Sequence, residues 1–141
     1  MEFTYHYQCS LLINKDIQTL TKTIAHADHM VHWEQGLVSI QQEKGQALEN
    51  GSRRILNYQM NDQTFQMYET TIENQLPNGL IQVYELGDVW NRCQSHFEDK
   101  DHQTLWIMDV IFKFKEKPKY DQAYFKNKTY QGMLSFKRYI E

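Results

Sequence analysis

The last stretch of the chain, Asp121 to Glu141, sets the tightest limit on how the rest can fold. Asp121 suits a helix start and no proline follows it. Ala123, Tyr130, Met133, Leu134 and Ile140 fall near one side at helical spacing, flanked by Phe125, Gly132 and Phe136. A stripe that wide is not stable on a helix lying free in water. It needs an apolar surface to rest on, and the chain offers one. From Ser52 to Phe114 the sequence reads as consecutive strands, and a sheet with one apolar face needs a cover. The expected architecture is α+β: a curved antiparallel sheet wrapped around one long carboxy-terminal helix.

The opening segment supports this. Phe3, Tyr5, Tyr7, Cys9 and Leu11 alternate with Thr4, His6, Gln8 and Ser10, the period of a half-buried strand. Asn14 reads as the cap of a short helix carrying Ile17, Leu20 and Ile24, and a second short helix is expected over His26 to Trp33. Gly36 to Glu43 reads as a strand. Then comes a meander: Arg54–Met60, Phe65–Glu73, Leu80–Leu86, Val89–Phe97 and Thr104–Phe114. Turns are expected at Asn61-Asp62, at the loop Gln75 to Gly79, at Gly87-Asp88 and over Glu98 to Gln103. About seven strands result, in the order β-α-α-β6-α, and 141 residues suit a single domain over 1–141.

Composition removes several classes of function. A net charge of −3 leaves no electrostatic footprint for nucleic acid. No apolar run reaches the ~18–20 residues that cross a bilayer, and Met1-Glu2-Phe3-Thr4 does not open a secretory leader. Cys9 and Cys93 form neither a disulfide framework nor a CxxC pair, so the expected location is the cytoplasm. There is no GxSxG elbow, no phosphate-binding loop and no GxGxxG, and no cofactor is expected. The lysines at 113, 115, 117 and 119 read as a solvated edge. Aromatics reach 13%, enough to fill a core and also line a cavity for an apolar ligand.

Hairpin registers predict which side chains share a face. With Glu98 to Gln103 as the last turn, Phe97 opposes Thr104, Ser95 opposes Trp106, Cys93 opposes Met108 and Asn91 opposes Val110. Trp106, Met108, Val110, Phe112 and Phe114 then mark the covered face. The two-residue turns place Tyr84 by Asn91 and Arg54 by Glu69, and the loop Gln75 to Gly79 places Glu69 by Tyr84. A polar row, Arg54, Glu69, Tyr84 and Asn91, therefore lies on the covered face beside the apolar row Leu56, Met67, Leu86 and Val89. Such groups need one another, water or a ligand as partners.

The order of elements, with the residues that carry it, resembles the SRPBCC superfamily of START-like, helix-grip proteins, in its small bacterial, polyketide cyclase/dehydrase-like form. The resemblance runs through Trp33 and Gly36-Leu37-Val38-Ser39, then Gly51, then Leu56-Asn57-Tyr58-Gln59-Met60 and Met67-Tyr68-Glu69-Thr70. It continues through Leu76-Pro77, Tyr84-Glu85, Val89-Trp90-Asn91, Phe97, Thr104-Leu105-Trp106 and Phe112-Lys113-Phe114. It implies a cavity between sheet and helix that holds lipids, polyketides, sterols or other apolar molecules. The segment Lys115 to Tyr120 is shorter and richer in lysine than in such proteins, which implies a smaller or more open pocket. Fold alone does not choose between carrier and enzyme.

The leading expectation is a binding protein for an apolar or amphipathic small molecule. Tyr58, Tyr84, Phe97, Trp106, Phe125, Tyr130 and Met133 would line its walls, and Arg54, Glu69 and Asn91 would meet a polar end. An alternative is a cyclase- or dehydratase-type enzyme, with Glu69 or Tyr84 as acid–base residue and Arg54 helping to hold an oxyanion. His26, His29 and His32 with Asp28 diverge around a helix and are expected to bind no metal. Trp90, Ile107 and Ile111, with Arg92, His96 and Asp109, should point outward. That surface suits a homodimer contact or a protein partner.

Overall fold

The computed structural model describes residues 2–141; Met1, at the head of the expected domain, lies outside them. Strand β1 (Phe3–Ile13) leads into helices α1 (Ile17–Ala25) and α2 (Ala27–Trp33). Then follow β2 (Leu37–Lys44), β3 (Arg53–Met60), β4 (Gln63–Gln75), β5 (Gly79–Leu86), β6 (Val89–Asp99), β7 (Thr104–Phe114) and helix α3 (Gln122–Ile140). All seven strands form one antiparallel sheet in the order β1-β7-β6-β5-β4-β3-β2. Consecutive strands pair through turns, except that β1 returns to β7 and so leaves β1 and β2 at opposite edges. Helices α1 and α2 join those two edges. Pairing irregularities in β2 and β4 bend the sheet, as bulges do.

Alternation in β1 places Tyr7, Cys9 and Ile13 inside and Thr4, His6, Gln8 and Ser10 outside. The Tyr7 hydroxyl then ties β1 to α3 through Thr129 Oγ1 at 2.6 Å and the Phe125 carbonyl at 3.1 Å. The buried centre of α3 is Met133 and Phe136. Phe136 stands edge-on to both Trp33 (centroids 5.0 Å apart) and Trp106 (5.6 Å). It is the pivot of the core rather than a flank of the stripe, and Ala123 is exposed.

Two further expectations need correction. Asp16, not Asn14, caps α1, its carboxylate accepting from the Thr19 N–H at 3.0 Å. The Asn14 N–H instead donates to Glu141 at the end of α3. The β6–β7 register also differs by two residues. Phe97 opposes Trp106, Ser95 opposes Met108, Cys93 opposes Val110 and Asn91 opposes Phe112. Asp101 and His102 both adopt left-handed backbone (φ 58° and 71°), so the turn tightens and β6 runs two residues further, to Asp99. A shift of two keeps every side chain on its expected face.

The β3–β4 turn uses the same device at Asn61 and Asp62 (φ 50° and 62°). Arg54 opposes Glu69, Glu69 opposes Tyr84, and Tyr84 opposes Asn91, so the polar row is real. On the convex face, Trp90, Ile107 and Ile111 are half-buried, Lys113 lies 5.1 Å over the Trp90 ring, and His6 pairs with Asp109 at 2.9 Å.

Candidate functional site

The polar row crosses the concave face beneath α2. Arg54 is 4% exposed and Glu69 1% exposed, a burial that only a paired charge tolerates. Glu69 Oε1 accepts from both Arg54 Nε and Arg54 Nη2, each at 2.7 Å. The Met30 sulfur of α2 lies 4.0 Å from Nη2. The remaining guanidinium nitrogen, Arg54 Nη1, is buried and has no protein acceptor.

Around this pair lies a shell of neutral polar groups. The Tyr84 hydroxyl donates to Gln82 Oε1 at 3.0 Å, and the Gln82 amide reaches Thr71 Oγ1 at 3.5 Å. Asn91 Oδ1 accepts from the Cys93 thiol at 3.7 Å. Burial, reinforced by the Glu69 charge, pushes the Tyr84 phenol well above its ordinary range. Burial likewise pushes the Cys93 thiol up to about 12. Neither group ionises near neutrality.

One member of the site was not foreseen from the sequence. Glu34 caps the carboxyl end of α2, where its N–H bonds to the Met30 carbonyl at 2.9 Å. The chain then turns at Gly36 (φ 82°), where any side chain would strike Met60, and Glu34 itself is half-buried. Burial is the main force on its carboxyl, and the nearby Glu69 charge adds to it. Hydrogen bonding from Tyr58 only partly offsets them, and the carboxyl rises from 4.5 to about 7. Tyr58 in turn feels its burial first and then both carboxylates, and holds its proton firmly.

The ten residues expected to bind a ligand divide into two groups. Arg54, Tyr58, Glu69, Tyr84 and Asn91 gather with Glu34 at the α2 side of the concave face. Phe97, Trp106 and Met133 are buried in the main core with Phe136, while Phe125 and Tyr130 are half-buried against it. Between α2 and the β2–β3 edge lies a cleft of about 440 Å³ lined by Ala27, Asp28, Val31, His32, Ile40, Gln42 and Arg54. A second hollow, about 460 Å³, lies between β1 and α3 and includes Cys9, Lys126 and Tyr130. Of the α2 histidines, His29 Nδ1 meets the Tyr139 hydroxyl at 2.5 Å and His32 stacks on the Tyr139 ring.

No protein-family model matches the chain, and no curated protein matches it. Solved structures do. Ara h 8.0201 superposes with a TM-score of 0.81 at 10% identity, covering 98% of each chain. A major latex-like protein 151 from Panax ginseng gives 0.77 at 12% identity, again over 98% of each chain. An uncharacterized protein from Rhizobium leguminosarum gives 0.73 at 12% identity over 99% of this chain and 97% of its own. The fold is therefore the helix-grip fold of these structures, a curved seven-stranded antiparallel sheet around a long carboxy-terminal helix. No helix among the described residues is long and apolar enough to cross a membrane.

Proposed function

We propose that this chain is a single-domain cytoplasmic binding protein for an amphipathic small molecule. The ligand lies between the concave face and the helices, with its polar end at Arg54. The observation that carries this reading is the unmatched donor. A guanidinium nitrogen shut away from water without an acceptor costs free energy, whereas Glu69 Oε1, the Tyr84 hydroxyl and Asn91 Oδ1 have partners. A bound acceptor would offset that cost. The half-buried Trp33, Met67 and Tyr84 around it supply apolar and aromatic contact.

Native mass spectrometry of protein purified gently from its own host tests this, followed by denaturation and identification of released compounds. The expected result is an apolar or amphipathic compound at about one per chain. A protein that is empty from its host and takes up no ester, ketone or fatty acid in solution would overturn it.

A second reading, an acid–base enzyme of cyclase or dehydratase type, is favoured by Glu34 rather than by Glu69 or Tyr84. Glu69 is committed to Arg54, and the Tyr84 hydroxyl donates its hydrogen bond to Gln82. A carboxyl titrating at about 7 is matched to proton transfer near neutrality. Turnover on an identified ligand that survives Glu34→Gln would remove this reading.

A further inference from the structure

Strand β1 is an edge of the sheet, and three contacts show which of its backbone groups look away from β7. The His6 N–H donates to Gln122 Oε1 at 3.2 Å, and the Lys137 ammonium donates to the Leu12 carbonyl at 3.2 Å. Just past the strand, the Asn14 N–H donates to the Glu141 carboxylate at 2.7 Å. All three positions are even-numbered, so the even residues of β1 turn their N–H and C=O groups outward while the odd ones bond to β7. Helix α3 thus closes the edge at His6 and again from Leu12 onward. Between them stand Gln8 and Ser10, whose outward backbone groups have no protein partner among the described residues.

This bare stretch coincides with a hollow. The space of about 460 Å³ between β1 and α3 touches Gln8, Cys9 and Ser10 in succession, with Lys126, Asn127 and Tyr130 across from them. Consecutive strand residues alternate faces, so a hollow that touches all three opens on the edge itself. We propose that this edge binds a short extended peptide carrying an acidic side chain, which adds to the sheet as a further strand. The site lies at the opposite side of the sheet from Arg54 on β3, and the inference does not rest on the binding function proposed above.

Two features select such a ligand. The free groups are the alternating donors and acceptors of a β-ladder, which another extended backbone matches and an aliphatic chain does not. Three residues of peptide suffice. In the antiparallel sense its outer residues pair with Gln8 and Ser10, each giving an N–H and accepting one, and its middle residue stands opposite Cys9. A side chain there shares the face of Cys9, which points inward and places its thiol 3.7 Å from the Lys126 carbonyl. It therefore meets Lys126, the one charged residue lining the hollow among the described residues. A carboxylate at the middle position supplies the partner that an exposed lysine with no acid beside it in the hollow lacks, and Tyr130 offers an aromatic wall. The outer side chains point to the solvated face and carry little specificity.

The probe is the blocked pentapeptide acetyl-Ala-Thr-Glu-Thr-Ala-amide, titrated into the isotope-labelled full chain while the backbone amide resonances are followed. The expected result is a saturable shift centred on the Gln8 and Ser10 amides, with a dissociation constant below about 1 mM. Replacing the peptide's glutamate by glutamine, or Lys126→Met in the protein, should weaken binding about fivefold. Methylating the two threonine nitrogens, which removes both donors without touching the protein's own fold, should weaken it at least about tenfold. No shift, a shift centred away from β1, or an affinity indifferent to the glutamate or to N-methylation overturns the inference. So does a concentration-dependent shift of the same amides without peptide, which would put a second copy of this chain at the edge.

Discussion

Arg54 presents two of its nitrogens to a single oxygen of Glu69, Oε1, each at 2.7 Å, across the β3–β4 ladder and almost wholly out of water. Removing one partner strands the other. Arg54→Met should cost about 3–5 kcal/mol of stability, whereas Arg54→Met with Glu69→Leu should stay within about 1 kcal/mol of the parent. Urea unfolding of both variants and the parent checks this. A double variant as unstable as the single one would show that the pair is worth more than its desolvation cost.

Glu34 makes stability depend on pH in the direction opposite to a salt-bridged carboxylate. Its folded carboxyl keeps a proton up to about pH 7, while the unfolded chain releases it near 4.5. Folding therefore takes up a proton between those values. The contribution is fully present below about 4.5, declines as pH rises to about 7, and then levels at a loss of order 2 kcal/mol. Glu34→Gln should flatten that decline in urea midpoints across the window. An unchanged slope would place the titration elsewhere.

The reach of sequence reasoning is clearest in these same residues. The row Arg54, Glu69, Tyr84 and Asn91 was legible because tight turns fix register, and register fixes faces. The β6–β7 misjudgement was harmless because its error was two residues rather than one. Glu34 was not legible. It lies in no periodic pattern, and its environment is set by Tyr58 and Glu69, which come from distant strands. The nearest signal was an acid wedged between Trp33 and Gly36. The centring of α3 on Phe136 was hidden similarly, since helical spacing shows which residues are apolar but not where the two tryptophans stand.

Phe136 is fully buried between Trp33 and Trp106. Phe136→Ala should lose about 3–5 kcal/mol, and the near-ultraviolet circular dichroism of the tryptophans should weaken because their edge-on neighbour is gone. Thermal and urea denaturation give the first quantity and spectroscopy the second. A loss under about 1 kcal/mol would mean that the core closes over the gap.

Tyr7 anchors β1 to the first half of α3 through one hydroxyl. Tyr7→Phe should cost about 1 kcal/mol and speed amide exchange around Thr129 more than around Phe136. Exchange that rises equally along all of α3 would count against a local anchor.

The pairing of β1 with β7 has a consequence in time rather than in space. Phe3 opposes Phe114, and Ile13 opposes Thr104, so β1 finds its neighbour only when β7 has left the ribosome. Until then β1 has α1 beside it but no strand to satisfy its backbone hydrogen bonds. Closing so long a loop makes for slow folding and leaves an unpaired strand open to other chains. The alternate polar residues Thr4, His6, Gln8 and Ser10 keep that waiting segment dispersed until its partner arrives.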